Sequence, residues 1–255
     1  MWEKLNNLDR RWIYLLVFVV VAFALLSPLG LSISINEPAK QAYDAINALK
    51  EGDILYVAFD FDAGSMTEIY PATYSAVRLA FQKNLRVVAG AAWDQGGAMA
   101  KMLFADLAPE FKKEYGKDYV NLGYKPGGTI FFEKLTRNVS EAAAGIDING
   151  TPLDQLPLMK DFKTIKDAKL IFAAATGTPG IREYIAIVGT PHKVPITGAC
   201  VAVSTPEYMP YLQAGQLKGL AMGMRGAAEL EILTGKPGSA VAGMDAQSLA
   251  HLMVV

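Results

Sequence analysis

The chain has 255 residues, with 24 Lys+Arg against 25 Asp+Glu and a formal net charge of -1, and it carries one cysteine and two histidines. That length holds one α/β domain of ordinary size plus a short appendage, and the balanced charge, with no basic cluster, argues against a nucleic-acid partner. Cys200 alone excludes an internal disulfide, and His192 and His251 leave too few soft ligands for a zinc site built by the protein.

The mean hydropathy of +0.22 is high for a soluble domain and comes largely from the N-terminal run. Trp12 to Leu31 gives about 20 residues without a charge, enough to cross a bilayer core as a helix. Lys4, Arg10 and Arg11 precede it, and no basic residue follows until Lys40. The positive-inside rule then predicts a single-pass signal anchor, with the N-terminus in the cytoplasm and the main domain outside the cell membrane. A cleaved signal peptide is the competing reading, with Gly30 to Ser32 as small-residue positions for cleavage. The expected division is an anchor over 1–33, an outward-facing α/β domain over 34–240 and an apolar C-terminal segment over 241–255.

Asn36 reads as the N-cap of a helix whose Ala39, Ala42, Tyr43, Ile46 and Leu49 share one face, closed by Gly52. Residues 54–60 form a continuous apolar run, the pattern of a strand buried on both faces. A helix follows over about 66–83, opened by a capping box from Ser65 to Glu68, with Asp60 and Asp62 near its positive end. Further strands are expected at 85–91, 119–124, 168–176 and 194–203, and helices at about 96–115, 129–138 and 179–189. In the last of these, Thr178 reads as N-cap and Pro179 as the first helical residue. This alternation implies an α/β fold with a doubly wound, mainly parallel sheet of about five strands, Rossmann-like in architecture. Residues 139–166 break the rhythm as an irregular excursion of a length that is often functional or interface-forming. The sequons starting at Asn138 and Asn149 fall at its edge and within it, and would suit an exposed outer surface.

Gly215, Gly219, Gly223 and Ala227 recur every four residues, which predicts a smooth stripe along one helix. A mid-helix glycine costs about 0.8–1 kcal/mol relative to alanine, so close packing is expected there, against the sheet or against another subunit. The chain closes on Leu249, Leu252, Met253, Val254 and Val255, read either as a packed or membrane-skirting helix or as the start of a second span.

Ligands in open α/β sheets bind outside the carboxyl ends of the strands. Those ends place Ser65, Trp93, Thr176, Gly177, Thr197 and Gly198 as candidate binding residues, beside the carboxylates Asp60, Asp62 and Asp94. Neither a Gly-x-Gly-x-x-Gly fingerprint nor a Gly-x4-Gly-Lys loop is present, so no nucleotide cofactor is expected. If the protein is an enzyme, Asp60, Asp62 and Asp94 are the expected catalytic groups of a hydrolase, with any divalent metal held by oxygen ligands; no metal ligand set is assigned.

Three resemblances bear on these residues. Asp60-Phe61-Asp62 after a buried strand resembles the first motif of the haloacid dehalogenase-like phosphatases, which implies Asp60 as nucleophile and Asp62 as acid/base beside magnesium. The chain departs from that pattern at Gly64, where the family has threonine, and lacks its late magnesium motif. Residues 53–103 are similar in rhythm to the Clp protease and signal peptide peptidase A superfamily, but Asp94 and Gln95 stand where that family has its nucleophilic serine. With its apolar N-terminus, its α/β domain and the segments 211–231 and 243–251, the whole chain resembles a family of prokaryotic membrane-anchored α/β proteins. That resemblance implies architecture and names no activity. Together with the shortage of catalytic residues, it points to an assembly or binding component of a homo-oligomeric or larger membrane complex. A strand-end hydrolase and a tethered solute-binding receptor are the alternatives.

Overall fold

The computed structural model of the protein describes residues 9–27 and 29–254. Lys4, Pro28 and Val255, which figure in the expectations above, lie outside them. In chain order the elements are α1 (Arg10–Leu26), α2 (Glu37–Asn47), β1 (Ile54–Asp60), α3 (Met66–Gln82), β2 (Arg86–Ala91), α4 (Gly96–Glu110), β3 (Tyr119–Tyr124), α5 (Thr129–Arg137) and α6 (Val139–Ala142). They continue with β4 (Leu170–Ala175), α7 (Ile181–Glu183), a π-helical segment Tyr184–Gly189, α8 (Thr190–His192), β5 (Ile196–Cys200), α9 (Thr205–Gln213), β6 (Leu220–Met222), α10 (Gly223–Leu233) and α11 (Ser239–Val254).

The strands form one parallel sheet in the order β3-β2-β1-β4-β5-β6. Every residue of β1, β4 and β5 is buried, as unbroken apolar runs require when both faces are covered. The pleat divides β1 between two cores. Leu55, Val57 and Phe59 pack with Ile69, Val77 and Leu103 of α3 and α4. Tyr56 and Ala58 pack on the other face with Phe132, Phe162 and Tyr184. The first three strands are therefore joined over one face and the last three over the other, so the winding reverses between β1 and β4, the adjacent strands at the middle of the sheet.

Two expectations change. The apolar N-terminal helix stops at Leu26, because Ser27 precedes a proline and takes φ -137°, outside the helical region. At 1.5 Å per residue, 17 residues reach about 26 Å, short of a hydrocarbon core of about 30 Å. Among the described residues no helix is long and apolar enough to cross a membrane.

The glycine stripe is not on one helix. Gly215 ends the turn after α9 at φ +69°, Gly219 enters the sixth strand β6, and Gly223 at φ +61° turns that strand into α10. Only Ala227 is mid-helix, and it is fully buried. The spacing of four residues arises from turn, strand and helix in succession.

The C-terminal segment is a helix packed on the domain. α11 lies against α10 and against α1, and its buried Asp245 accepts the backbone N–H of Gly30 (2.8 Å) and of Leu31 (3.1 Å). On α1, Val17, Val20, Val21, Ala22 and Ala24 are the shielded positions, whereas Trp12 and Phe18 are 65% and 69% exposed.

Candidate functional site

The crevice outside the carboxyl ends of β1 and β4 is where a doubly wound sheet opens for ligands, and buried polar chemistry collects beside it. Asp60 ends β1 with no exposure. Its Oδ1 accepts the backbone N–H of Ala92 at 2.6 Å, and the carboxylate also faces the Tyr184 hydroxyl. Burial raises its pKa to about 7, with the Ala92 N–H pulling the other way.

Tyr56 stands four residues earlier on β1, on the same face. Its ring runs over Gly90 of β2, and a Cβ at that glycine would collide with the Tyr56 hydroxyl. Tyr184 opens the π-helical segment and packs against Tyr56 with ring centroids 6.1 Å apart. The Tyr184 hydroxyl interacts with both the Asp60 carboxylate and the Tyr56 hydroxyl, although none of these contacts reaches full hydrogen-bond geometry. Desolvation holds both phenols well above their ordinary pKa, and the Asp60 charge adds to the effect. A π-helical turn at such a place is itself a frequent mark of a functional site.

Two loops close over this cluster. Trp93, after β2, donates its indole N–H to the Pro179 carbonyl at 2.9 Å and lies 3.2 Å from where a Cβ on Gly177 would stand. The Thr176 N–H donates to the Asp60 carbonyl at 3.2 Å. The Gly180 N–H donates to the buried Glu183 carboxylate at 2.7 Å. Helix α7 starts at Ile181 with Gly180 as its cap, so Thr178 and Pro179 belong to the loop and not to the helix start.

The other candidates divide. Asp62 is committed to its own turn: its Oδ1 accepts the Ser65 hydroxyl (2.8 Å) and N–H (3.1 Å), and the Ser65 hydroxyl lowers its pKa. The capping box does not form, because Ser65 makes no cap bond and Glu68 accepts the Ala202 N–H instead at 2.8 Å. Asp94 is exposed at the rim, and the neighbouring Gln95 amide oxygen accepts the Ala63 N–H at 2.9 Å. Among the described residues no group of three or more His, Cys, Asp or Glu side chains is placed to hold a metal ion. Thr197 and Gly198 are corrected as site residues. They lie inside β5, where the Thr197 hydroxyl donates to the Gly219 carbonyl at 2.9 Å and Gly198 is pressed on the Ala173 backbone. Gly219, proposed at an interface, is pressed on the α2 backbone at Ala42, and Gly223 lies against Ala202 and Glu68.

The structure brings Asp60, Trp93, Thr176 and Gly177 together at the strand ends and sets Tyr56, Tyr184 and Glu183 beside them, which sequence reasoning did not single out. Tyr56 carried a legible signal: it has the parity of Asp60 on a strand read as buried on both faces. Nothing local marked Tyr184.

The strand order and the reversal between β1 and β4 define a doubly wound, Rossmann-like α/β domain. Comparison with protein-family models, with curated proteins and with solved structures finds no match.

Proposed function

We propose that this protein is a membrane-anchored α/β domain that faces outward and works as an assembly or binding component of a homo-oligomeric or larger membrane complex. The observation that carries the reading is α1, whose Trp12, Tyr14, Leu16, Phe18, Val19 and Phe23 are exposed while its opposite stripe packs on α11. An exposed apolar surface of that extent requires a cover. Arg10 and Arg11 at one end beside Trp12 and Tyr14 suit a headgroup boundary, where aromatic rings and basic residues anchor. The exposed Leu29 and Leu31 continue the apolar run beyond the helix, and modest bilayer thinning accommodates a short span. Because Gly219, Gly223 and Ala227 are used inside the domain, contacts between subunits run through the flank of α1. The full chain should float with phosphatidylcholine/phosphatidylglycerol vesicles and resist alkaline extraction. A Leu16→Ser, Phe18→Ser, Val19→Ser variant should stay at the bottom of the gradient. Wild-type protein that fails to float overturns the reading.

A second reading, a tethered solute receptor, is prompted by the buried Asp60 carboxylate at the carboxyl end of β1, beside β4. The hydrolase alternative would use the same carboxylate, and Asp60→Asn should abolish any such activity while leaving assembly intact.

A further inference from the structure

Between α3 and the turn that joins α10 to α11 lies a cavity of about 250 Å³, lined by Tyr70, Pro71, Tyr74 and Arg78 on the helix side and by Lys236 and Pro237 on the turn side. Residues 235–239 of the turn are exposed at its rim. Arg78 sets its chemistry. The Arg78 Nη1 donates to Glu110 at the end of α4, the guanidinium lies 5.1 Å from the centre of the Phe111 ring, and Nε is buried without a partner. Nε and Nη2 form one edge of the planar fork, the edge that receives a carboxylate through two parallel bonds, and Glu110 holds the nitrogen outside it. Lys236 donates to the same Glu110 carboxylate at 2.9 Å, so two cations share one anion. The nearby carboxylates are already engaged: Asp106 accepts the Tyr74 hydroxyl at 2.6 Å, and Glu231 takes the N–H groups that open α11. A buried donor with no acceptor is rare in native structures, and this one belongs to a side chain that walls a cavity.

We propose that this cavity binds a small organic carboxylate with a planar apolar body, its two oxygens on Arg78 and Lys236 and its body against Tyr70 and Tyr74. A cation would be repelled by Arg78 and Lys236. A neutral carbonyl supplies acceptors but no charge for two cations that hold one carboxylate between them. A carboxylate supplies two oxygens to the fork edge and one negative charge, whereas a phosphate dianion brings more charge than the pair has to offset. The walls select the rest of the ligand: the Tyr70 and Tyr74 rings, with centroids 6.4 Å apart, and the rings of Pro71 and Pro237 present flat apolar surface. The proposal goes beyond the reading above, uses none of the strand-end residues and does not depend on anchoring through α1.

The test titrates the full chain in detergent with benzoate and follows binding by saturation-transfer difference NMR, with benzamide as the neutral control of the same shape and a protein-free micelle blank. The expected result is a saturable signal from benzoate and none from benzamide. Arg78→Gln should abolish it. Arg78→Lys keeps the charge and an ion pair to Glu110 but loses the fork, and should weaken apparent affinity about tenfold, as loss of a hydrogen bond to a charged group does. Lys236→Gln should weaken it by a similar factor. Circular dichroism checks that each variant is folded, and should the Arg78 variants fail to fold, Lys236→Gln, at a side chain 44% exposed, decides alone. No saturable signal, an equal signal from benzamide, displacement of benzoate by an equal concentration of inorganic phosphate, or unaltered affinity in the folded variants overturns the proposal. Vesicle flotation of the wild-type protein is scored separately, so failure at the cavity and failure of anchoring are told apart.

Discussion

Glu231 near the end of α10 accepts the backbone N–H of Gly238 at 2.8 Å, and the same carboxylate takes the N–H groups of Ala240 (3.0 Å) and Val241 (2.9 Å). One buried side chain thereby satisfies three of the donors that the start of α11 leaves open, and sets its negative charge at the positive end of that helix. Glu231 thus fixes the departure of the helix that supports α1. Glu231→Ala should cost about 3 kcal/mol in chemical denaturation, and Glu231→Gln, which keeps one acceptor, about half of that. A cost within error of zero for Glu231→Ala would show that water replaces the carboxylate.

The raised pKa of Asp60 predicts a pH dependence of stability. Its carboxyl titrates near 3.8 in the unfolded chain and at about 7 in the folded one, so between those values the native state binds the extra proton. Stability from this group is complete below pH 4 and is lost as pH rises to 7, on the order of 4 kcal/mol at most. Urea midpoints measured from pH 4 to pH 8 should show a falling contribution that disappears in Asp60→Asn. Parallel profiles for the two proteins would contradict it.

Gly90 exists for Tyr56. Gly90→Ala drives a methyl group into the Tyr56 hydroxyl and should destabilise by about 1–3 kcal/mol, the usual cost of overpacking. Combining it with Tyr56→Phe removes the oxygen that is struck. The double variant should recover a good part of the loss, and strict additivity of the two changes would sink the explanation.

Gly215 and Gly219 separate the helix expected from sequence from the turn and strand observed. A Cβ on Gly219 meets the Ala42 backbone, whereas Gly215 faces open space and only its positive φ is strained. Gly219→Ala should therefore lower the melting temperature far more than Gly215→Ala, which should cost about 1 kcal/mol. Equal effects would favour a common helical stripe.

These contrasts show where the sequence was informative. β1 was legible because every residue from Ile54 to Phe59 is apolar and its end is marked by Asp60, and the parallel, doubly wound sheet followed from that rhythm repeated. β6 was hidden because it is three residues long and flanked by Gly219 and Gly223, whose spacing imitates a helical period. The early end of α1 was signalled by Ser27 before Pro28, a rule about the residue preceding proline that an apolar count ignores. At the site, Asp60 and Trp93 lie at strand ends and could be listed from the pattern alone. Tyr184 meets Asp60 only because the crossover after β4 returns over the face that carries Tyr56, a relation made by topology and not by local sequence.

Anchoring through α1 is the claim on which the functional account turns, and an environment-sensitive label on its exposed face tests it most directly. With Cys200→Ala removing the one native thiol, Phe18→Cys carries an NBD fluorophore on the full chain mixed with vesicles. The account predicts a blue-shifted emission that is quenched by nitroxides near the middle of the acyl chains. Emission that keeps its aqueous maximum and ignores those quenchers would contradict it.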